Sequence, residues 1–409
     1  MSKLQDLINE LCPHGVEYKA LNEIASYSKD RIEIEYVDEN NYIGIDNLLK
    51  NKQGKVPASS VPSMNRLTKY EKDDVLIGNI RPYLKKIWLA DCCGGTNGDV
   101  LVFQIKDKNI IIPAFLYCVL SADDFFNFDM QHSKGSKMPR GDKAIIMTYS
   151  VPIPPIEVQQ EIVNVLDSFS DVKSNFVNEL MLELENKRKI YEYSRDKLLS
   201  FDYGVEYKAL GETIVSLNTG LNPRRFFKLN TDNANNYYVT IRELQNNKIV
   251  FSEKTDRIND DALKLCNNRS NLEAGDILFS GTGTIGVTAL VEKTPENWNI
   301  KEGVYTIKPK QDIINSKFLM YLLNSEDIRK AFLKKAAGGT VKSVPMAELK
   351  SVLIPVPPLV EQERIVATLD KLTETYNAVT DGIQKEIEQI EKIYTYCTDK
   401  LLTFKEKKQ

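Results

Sequence analysis

One stretch of about fifty residues occurs twice in this chain, and the copies never slip out of register. The first opens VPIPPIEVQQEIVNVLD at Val151 and closes IYEYSRDKLLSF at Phe201. The second runs from PVPPLVEQERIVATLD at Pro355 to IYTYCTDKLLTF at Phe404. Pro152 answers to Pro355, Asp167 to Asp370, Ile190 to Ile393 and Phe201 to Phe404, always 203 positions apart. Loops absorb insertions freely, whereas a packed rod does not. The constant offset therefore predicts a length-critical helix that occurs twice.

Periodicity agrees. In the second copy, apolar residues fall at Ile365, Leu369, Leu372, Tyr376, Val379, Ile383, Ile387 and Ile390, in steps of three and four. In the first, Ile162, Leu166, Phe169, Val172, Phe176, Leu180 and Leu184 keep similar steps. This is a heptad pattern. At ~1.5 Å per residue each rod would be roughly 65 Å long. Two such helices in one chain, with a domain between them, most simply pair antiparallel. The residues expected in that seam are Leu166, Phe169, Phe176, Leu369, Tyr376 and Ile383.

A second repeat marks where each half begins. Gly15–Leu21 and Gly204–Leu210 both read GVEYKAL. The order is thus globular, rod, globular, rod. The expected boundaries are 1–14 for an N-terminal helix near the rods, 15–153 for the first domain, 154–203 for the central helix, 204–356 for the second domain and 357–409 for the C-terminal helix. Short apolar runs such as Val75–Ile80, Val100–Ile105, Asp276–Ser280 and Gly303–Lys308 read as strands. Pro113–Ser121 and Ser316–Ala336 read as helices. The fold class is α+β with a pseudo-two-fold duplication.

Charge distribution separates the parts. The net charge is −3. The first globular region is neutral, the second carries 21 basic and 17 acidic residues, and the acid excess sits on the rods. Basic clusters occupy matching places. Lys134, Lys137, Arg140 and Lys143 lie in and beside one glycine-containing loop, and Lys335, Thr340 and Lys342 in the other. Arg81 and Lys85 flank a strand pair, with Lys86 beside them, and Arg224, Arg225 and Lys228 follow Pro223. Such residues neutralise phosphates and read base edges.

Signatures of catalysis are scarce. Six cysteines include no CxxC pair, and two histidines leave little for a zinc site. His132 reads as polar surface. No phosphate-binding GxxxxGK[ST] loop, HExxH or N/D-P-P-aromatic motif is found. The one enzyme-like feature is Phe279–Gly286, FSGTGTIG, which has the spacing of a cofactor loop. Such a loop needs a strand before it and a helix after it. The β-branched VTALVEK that follows favours a hairpin instead. The alternative function, a self-sufficient S-adenosylmethionine-dependent DNA methyltransferase or nuclease, would rest on this turn at 279–286. No apolar run approaches the ~20 residues of a membrane span, and no secretory leader is evident, so a cytoplasmic, non-membrane protein is expected.

Taken together, the order of parts resembles the specificity subunit of type I restriction–modification systems. The resemblance rests on the paired GVEYKAL starts, the double prolines after Pro152 and Pro355, the KLL[ST]F endings, and the loops at Gly135 and Gly338. It covers essentially the whole chain. It implies two target-recognition domains that each read half of a bipartite site in double-stranded DNA. It implies rods that set the spacing and dock two methyltransferase subunits, with a restriction (motor–nuclease) subunit joining them. S-adenosylmethionine, ATP and Mg would belong to those partners. No catalytic, cofactor or metal residue is expected in this chain.

Overall fold

The computed structural model describes residues 3–201, 204–339 and 341–407. They fall into two compact units, Met1–Leu180 with Gln384–Gln409, and Met181–Ile383. The division cuts through both rods, so each unit holds one globular domain and a part of each long helix. The first rod is Ile156–Leu198, of 43 residues, and the second Leu359–Leu402, of 44. None of the described helices is long and apolar enough to cross a membrane.

In the first unit, four antiparallel strands form an inner sheet in the order Ala25–Tyr27, Val100–Ile105, Val75–Gly78, Ile87–Leu89. The apolar run VLIG is buried throughout, as expected of a strand covered on both faces. Helices Pro113–Ser121 and Asp123–Gln131 contribute Phe115, Leu116, Phe125 and Phe126 to the same core. Proline opens the first of these helices, where its missing N–H costs nothing. A second sheet of four short strands lies outside, with Tyr42–Ile43 parallel to Gly94–Thr96.

The second unit repeats the inner sheet strand for strand. Its order is Ile214–Thr219, Val304–Pro309, Ile277–Ser280, Thr288–Leu290. Helices Ser316–Asn324 and Glu326–Leu333 again cover it. The outer part differs. Asn236–Val239 pairs antiparallel with Arg257–Ile258 and parallel with Trp298–Ile300, beside a helix, Asp260–Arg269, that packs against Trp298–Ile300.

Each domain grips its rod in the same way. GVEYKAL supplies one strand of a two-stranded ribbon and the segment before the double proline supplies the other: Glu17–Ala20 pairs with Ser150–Ile153, and Glu206–Ala209 with Leu353–Val356. Just beyond, a glutamine in the first turns of the rod is fully buried. Gln159 accepts from the Ile112 amide at 2.9 Å and donates to the Ile110 and Pro154 carbonyls, both at 2.8 Å. Gln362, 203 positions on, does the same for Asn315, Ile313 and Pro357. Buried polar groups are kept only when satisfied, so each glutamine is a rivet between domain and helix. The first domain also closes onto the end of the second rod: the Val16 amide donates to the Lys405 carbonyl and the Lys407 amide to that of Val16, each at 2.9 Å. The N-terminal helix Lys3–Leu11 packs Leu4 into the same core as Val158, Ile162 and Leu402.

Within each unit the rod segments run antiparallel. In the first, Leu402 shares a core with Val158 and Ile162, while Lys173 meets Glu391 at 3.0 Å and lies over the Tyr394 ring. In the second, Leu199 shares a core with Ile365 and Leu369, while Tyr191 stacks on Tyr376 at 4.5 Å. The seam differs from the expected one in the first rod. Phe169 and Phe176 are 42% and 55% exposed, and Val172 is exposed too. The half-buried positions are Ser170, Lys173, Val177, Leu180, Leu184, Lys187 and Tyr191, in steps of three and four. Periodicity located the stripe one residue away, because a second apolar row runs alongside the covered one. Leu166 and Leu369 belong to the cores of their domains, and Ile383 is buried.

Candidate nucleic-acid interface

In the first domain, the hairpin turn between Val75–Gly78 and Ile87–Leu89 carries Arg81 and Lys85, both at positive φ. The glycine loop before the rod folds back onto this turn. Lys134 and Arg140 exchange backbone hydrogen bonds, each 2.9 Å, and so close the loop GSKMP between them. Arg140 also bridges to Ile80, the Arg81 amide donates to the Pro139 carbonyl at 2.7 Å, and the Gly141 amide to that of Asn79. Turn and loop therefore form one two-fingered protrusion, with Tyr83, Lys137 and Met138 exposed on it.

The second domain builds the same protrusion from other residues. Ala337 and Ser343 exchange backbone bonds of 2.8 Å, and Ser343 bridges to Thr282. The Gly283 amide donates to the Lys342 carbonyl and the Val344 amide to that of Gly281, both at 2.9 Å. Lys134 and Ala337, and Arg140 and Ser343, are each 203 positions apart, the offset of the rods. The turn is FSGTGTIG. A strand, Thr288–Leu290, follows it, so the glycines serve a hairpin and no helix N-terminus faces them. Gly281 is needed because any Cβ there would fall 2.2 Å from the Tyr305 ring. Thr282, Gly283 and Thr284 are exposed.

The sequence-selected basic residues fall into three groups. Lys85, Lys134, Arg140 and Lys335 are on or beside the protrusions but already paired, with Asp123 at 2.8 Å, Asp142 at 2.6 Å, Asp99 at 3.1 Å and Glu348 at 2.9 Å. Burial pushes the Asp123 carboxyl up, but Lys52 and Lys85 outweigh it and hold it below the ordinary range. Lys134 and two backbone amides hold Asp142 low as well. Pairs as open to solvent as those of Lys134 and Arg140 hold weakly, because water screens them.

Lys137, Lys143, Arg224, Arg225, Lys228 and Lys342 are exposed, and no ion pair involves them among the described residues. The Arg224–Arg225 pair sits on a short turn capped by Asn222, which donates to Glu302; the next residue, Gly303, lies against Thr282. That places these arginines beside the second protrusion. Arg81 is different, half-buried with its Nε shut away from solvent and unbonded. Lys86 is buried, its ammonium on the Ile45 carbonyl and its pKa lowered by desolvation, so it is a core residue rather than a surface charge. His132 bonds the Phe128 carbonyl and packs on the Phe128 ring. Thr340 lies outside the described residues.

The sequence reading favoured a hairpin for FSGTGTIG but did not single out Thr282 and Thr284, which the turn leaves exposed. It also overlooked the acids that neutralise the lysines. Among the described residues no cluster of three metal-ligating side chains occurs.

The family described as the type I restriction modification DNA specificity domain matches the chain twice, over residues 13–186 and 204–389. The chain belongs to that family. A Haemophilus influenzae chain assigned as a type I restriction enzyme specificity subunit is 31% identical over 311 residues, 74% of this chain and 75% of that one. The EcoR124I/EcoR124II specificity subunit of Escherichia coli is 32% identical over 287 residues, 66% of this chain and 68% of that one. A chain from a solved structure of a type I restriction–modification system shares the fold of this specificity subunit, with a TM-score of 0.67 at 19% identity, covering 95% of this chain and 97% of that one.

Proposed function

We propose that this chain is the non-catalytic DNA-targeting subunit of a type I restriction–modification complex. Each protrusion reads one half of a bipartite site in double-stranded DNA, and the rods fix the gap. The observation that carries the reading is the matched pair of protrusions. Their backbones are held by equivalent bonds 203 residues apart, while their exposed side chains differ. Equal frames with unequal tips suit two unequal half-sites. Lys137, Arg140, Lys143, Arg224, Arg225, Lys228 and Lys342 contact phosphates or base edges, with Lys85, Lys134, Lys335, Arg81 and Thr340 in support.

The rods support a second part of the reading. Ile190 and Tyr193 are exposed on the first rod, and Ile393 and Tyr396 on the second, again 203 positions apart. Exposed apolar side chains repeated by the duplication fit two copies of one partner. That partner is the methyltransferase subunit, and a motor–nuclease subunit completes the complex. S-adenosylmethionine, ATP and Mg are bound by those subunits. The purified chain alone is expected to transfer no methyl groups. With its methyltransferase partner it should direct methylation to one split sequence, read by methylome sequencing. Sequence-specific methylation by the chain alone would overturn the proposal.

A further inference from the structure

Four of the six buried side-chain atoms that lack a hydrogen-bond partner among the described residues belong to three residues beneath the first protrusion. They are Asn79 Oδ1, Arg81 Nε and both carboxylate oxygens of Asp129. Asn79 and Arg81 stand in the hairpin turn; Asp129, only 1% exposed, lies in helix Asp123–Gln131. Gly141 of the glycine loop passes between them. A Cβ on Gly141 would fall 2.2 Å from Asp129 Oδ1 and 2.9 Å from Asn79 Oδ1. Turn, loop and helix thus bring two acceptors that lack a donor to the two sides of one glycine.

The second domain solves the same packing problem differently. The residue 203 positions after Asp129 is Phe332, fully buried in helix Glu326–Leu333. Its ring packs on Phe279, 5.2 Å away, and against Gly286 of the turn. One protrusion rests on an apolar plug and the other on a carboxyl group.

We propose that Asp129 is a positioning residue that works as a neutral acid, donating its carboxyl proton to Asn79 Oδ1 and so holding the first hairpin turn and glycine loop in their reading position. A protonated carboxyl has one O–H to give, and the amide oxygen beside it has nothing else to accept. An ionised carboxylate in this place leaves buried acceptors without a donor, which is costly.

Other charged groups around the carboxyl act in known directions. His132 lowers its pKa, but burial dominates and raises it from the ordinary 3.8 to about 6. Tyr27, whose own pKa is raised by burial and then by Asp129 and Asp142, donates to the Lys143 carbonyl, and Arg81 offers Asp129 no bond. Asp142 and Asp99 are taken by Lys134 and Arg140. The sign follows. A carboxyl whose pKa is raised in the closed form stabilises that form fully below its ordinary 3.8, and this stabilisation is lost as pH rises from there to about 6. Phosphates brought near the protrusion oppose ionisation further, so the first half-site takes up a proton on binding and the second does not. This link to DNA rests on the function proposed above, whereas the proton link does not.

Hydrogen exchange on the full chain, without DNA, tests it. After correction for intrinsic rates, protection of the Arg81, Arg140 and Gly141 amides should fall between about pH 4 and 6, by at most about tenfold per unit, and level off above. In Asp129→Asn, whose amide can donate to Asn79, protection should stay flat. Ala337, Ser343 and Val344 in the second domain should not respond in either protein. A flat wild-type profile, or the same slope in Asp129→Asn, overturns the proposal. So does loss of protection at every pH in Asp129→Asn, which would mean that the carboxylate itself is needed. Should that variant fold poorly, direct NMR titration of the wild-type carboxyl decides, and a midpoint near 4 refutes the idea. Failure of these measurements leaves DNA reading intact, and failure of DNA reading leaves them interpretable.

Discussion

The two globular domains agree strand for strand where they hold the rods and part company everywhere else. Their inner sheets have the same order, and both end in a ribbon and a buried glutamine. Their outer sheets differ in strand number, and helix Asp260–Arg269 packs against a strand of the second domain's outer sheet. The lesson concerns freedom. A segment tied to a helix of fixed length cannot drift, because its hydrogen bonds must meet partners fixed at the start of that helix. A segment that meets only solvent or DNA is under no such restraint.

The comparison can be broken most forcefully at the bases of the protrusions. Phe332→Ala should destabilise the second unit by about 3–5 kcal/mol, the range for emptying a buried aromatic site. Asp129→Ala at the equivalent place should cost far less, since it removes one hydrogen bond and little buried apolar surface. Denaturant unfolding measures both, and equal losses would refute the plug-versus-acid distinction. Next come the rivets. Gln159→Leu and Gln362→Leu each orphan three backbone groups and should each cost about 2–4 kcal/mol. Similar values from thermal unfolding would sharpen the claim that the frames are equivalent, and a clear inequality would break it.

A smaller effect is expected along the seam. Tyr376→Ala removes an aromatic stack and should cost about 1–2 kcal/mol, largely independent of salt. Lys173→Ala removes an exposed ion pair and a ring contact, should cost less than about 1 kcal/mol, and should lose even that in 1 M salt. Smallest in stability, within about 0.5 kcal/mol, should be Ile190→Asp and Ile393→Asp. Each should nonetheless remove one methyltransferase subunit from the complex, as counted by native mass spectrometry. Two retained subunits in both variants would exclude these patches as the docking sites.

Much of this was legible beforehand. The duplication, the antiparallel rods, the buried runs at Val75 and Ile277 and the hairpin nature of FSGTGTIG follow from spacing and residue type alone. What escaped had one physical cause: a pattern records that a face is apolar or charged, not what covers it. Phe169, Val172 and Phe176 look like a seam because exposed apolar rows and covered ones obey the same helical period. Lys85, Lys134 and Arg140 look free because their acids lie 38, 8 and 41 residues away in the chain. Lys86 looks like surface because nothing local announces that the Ile45 carbonyl waits for it.

The unlike contacts along the rods also bear on which rods can pair. Lys173 faces Glu391, whose counterpart in the first rod is Arg188. Two first rods laid antiparallel would therefore oppose Lys173 with Arg188, a like-charge meeting that disfavours the match. At this point a first rod meets a second with an ion pair and would meet its own kind with a repulsion. Doubling the first half would thus put two positive charges where the natural pairing has an ion pair, whereas doubling the second would set Tyr376 against Glu391.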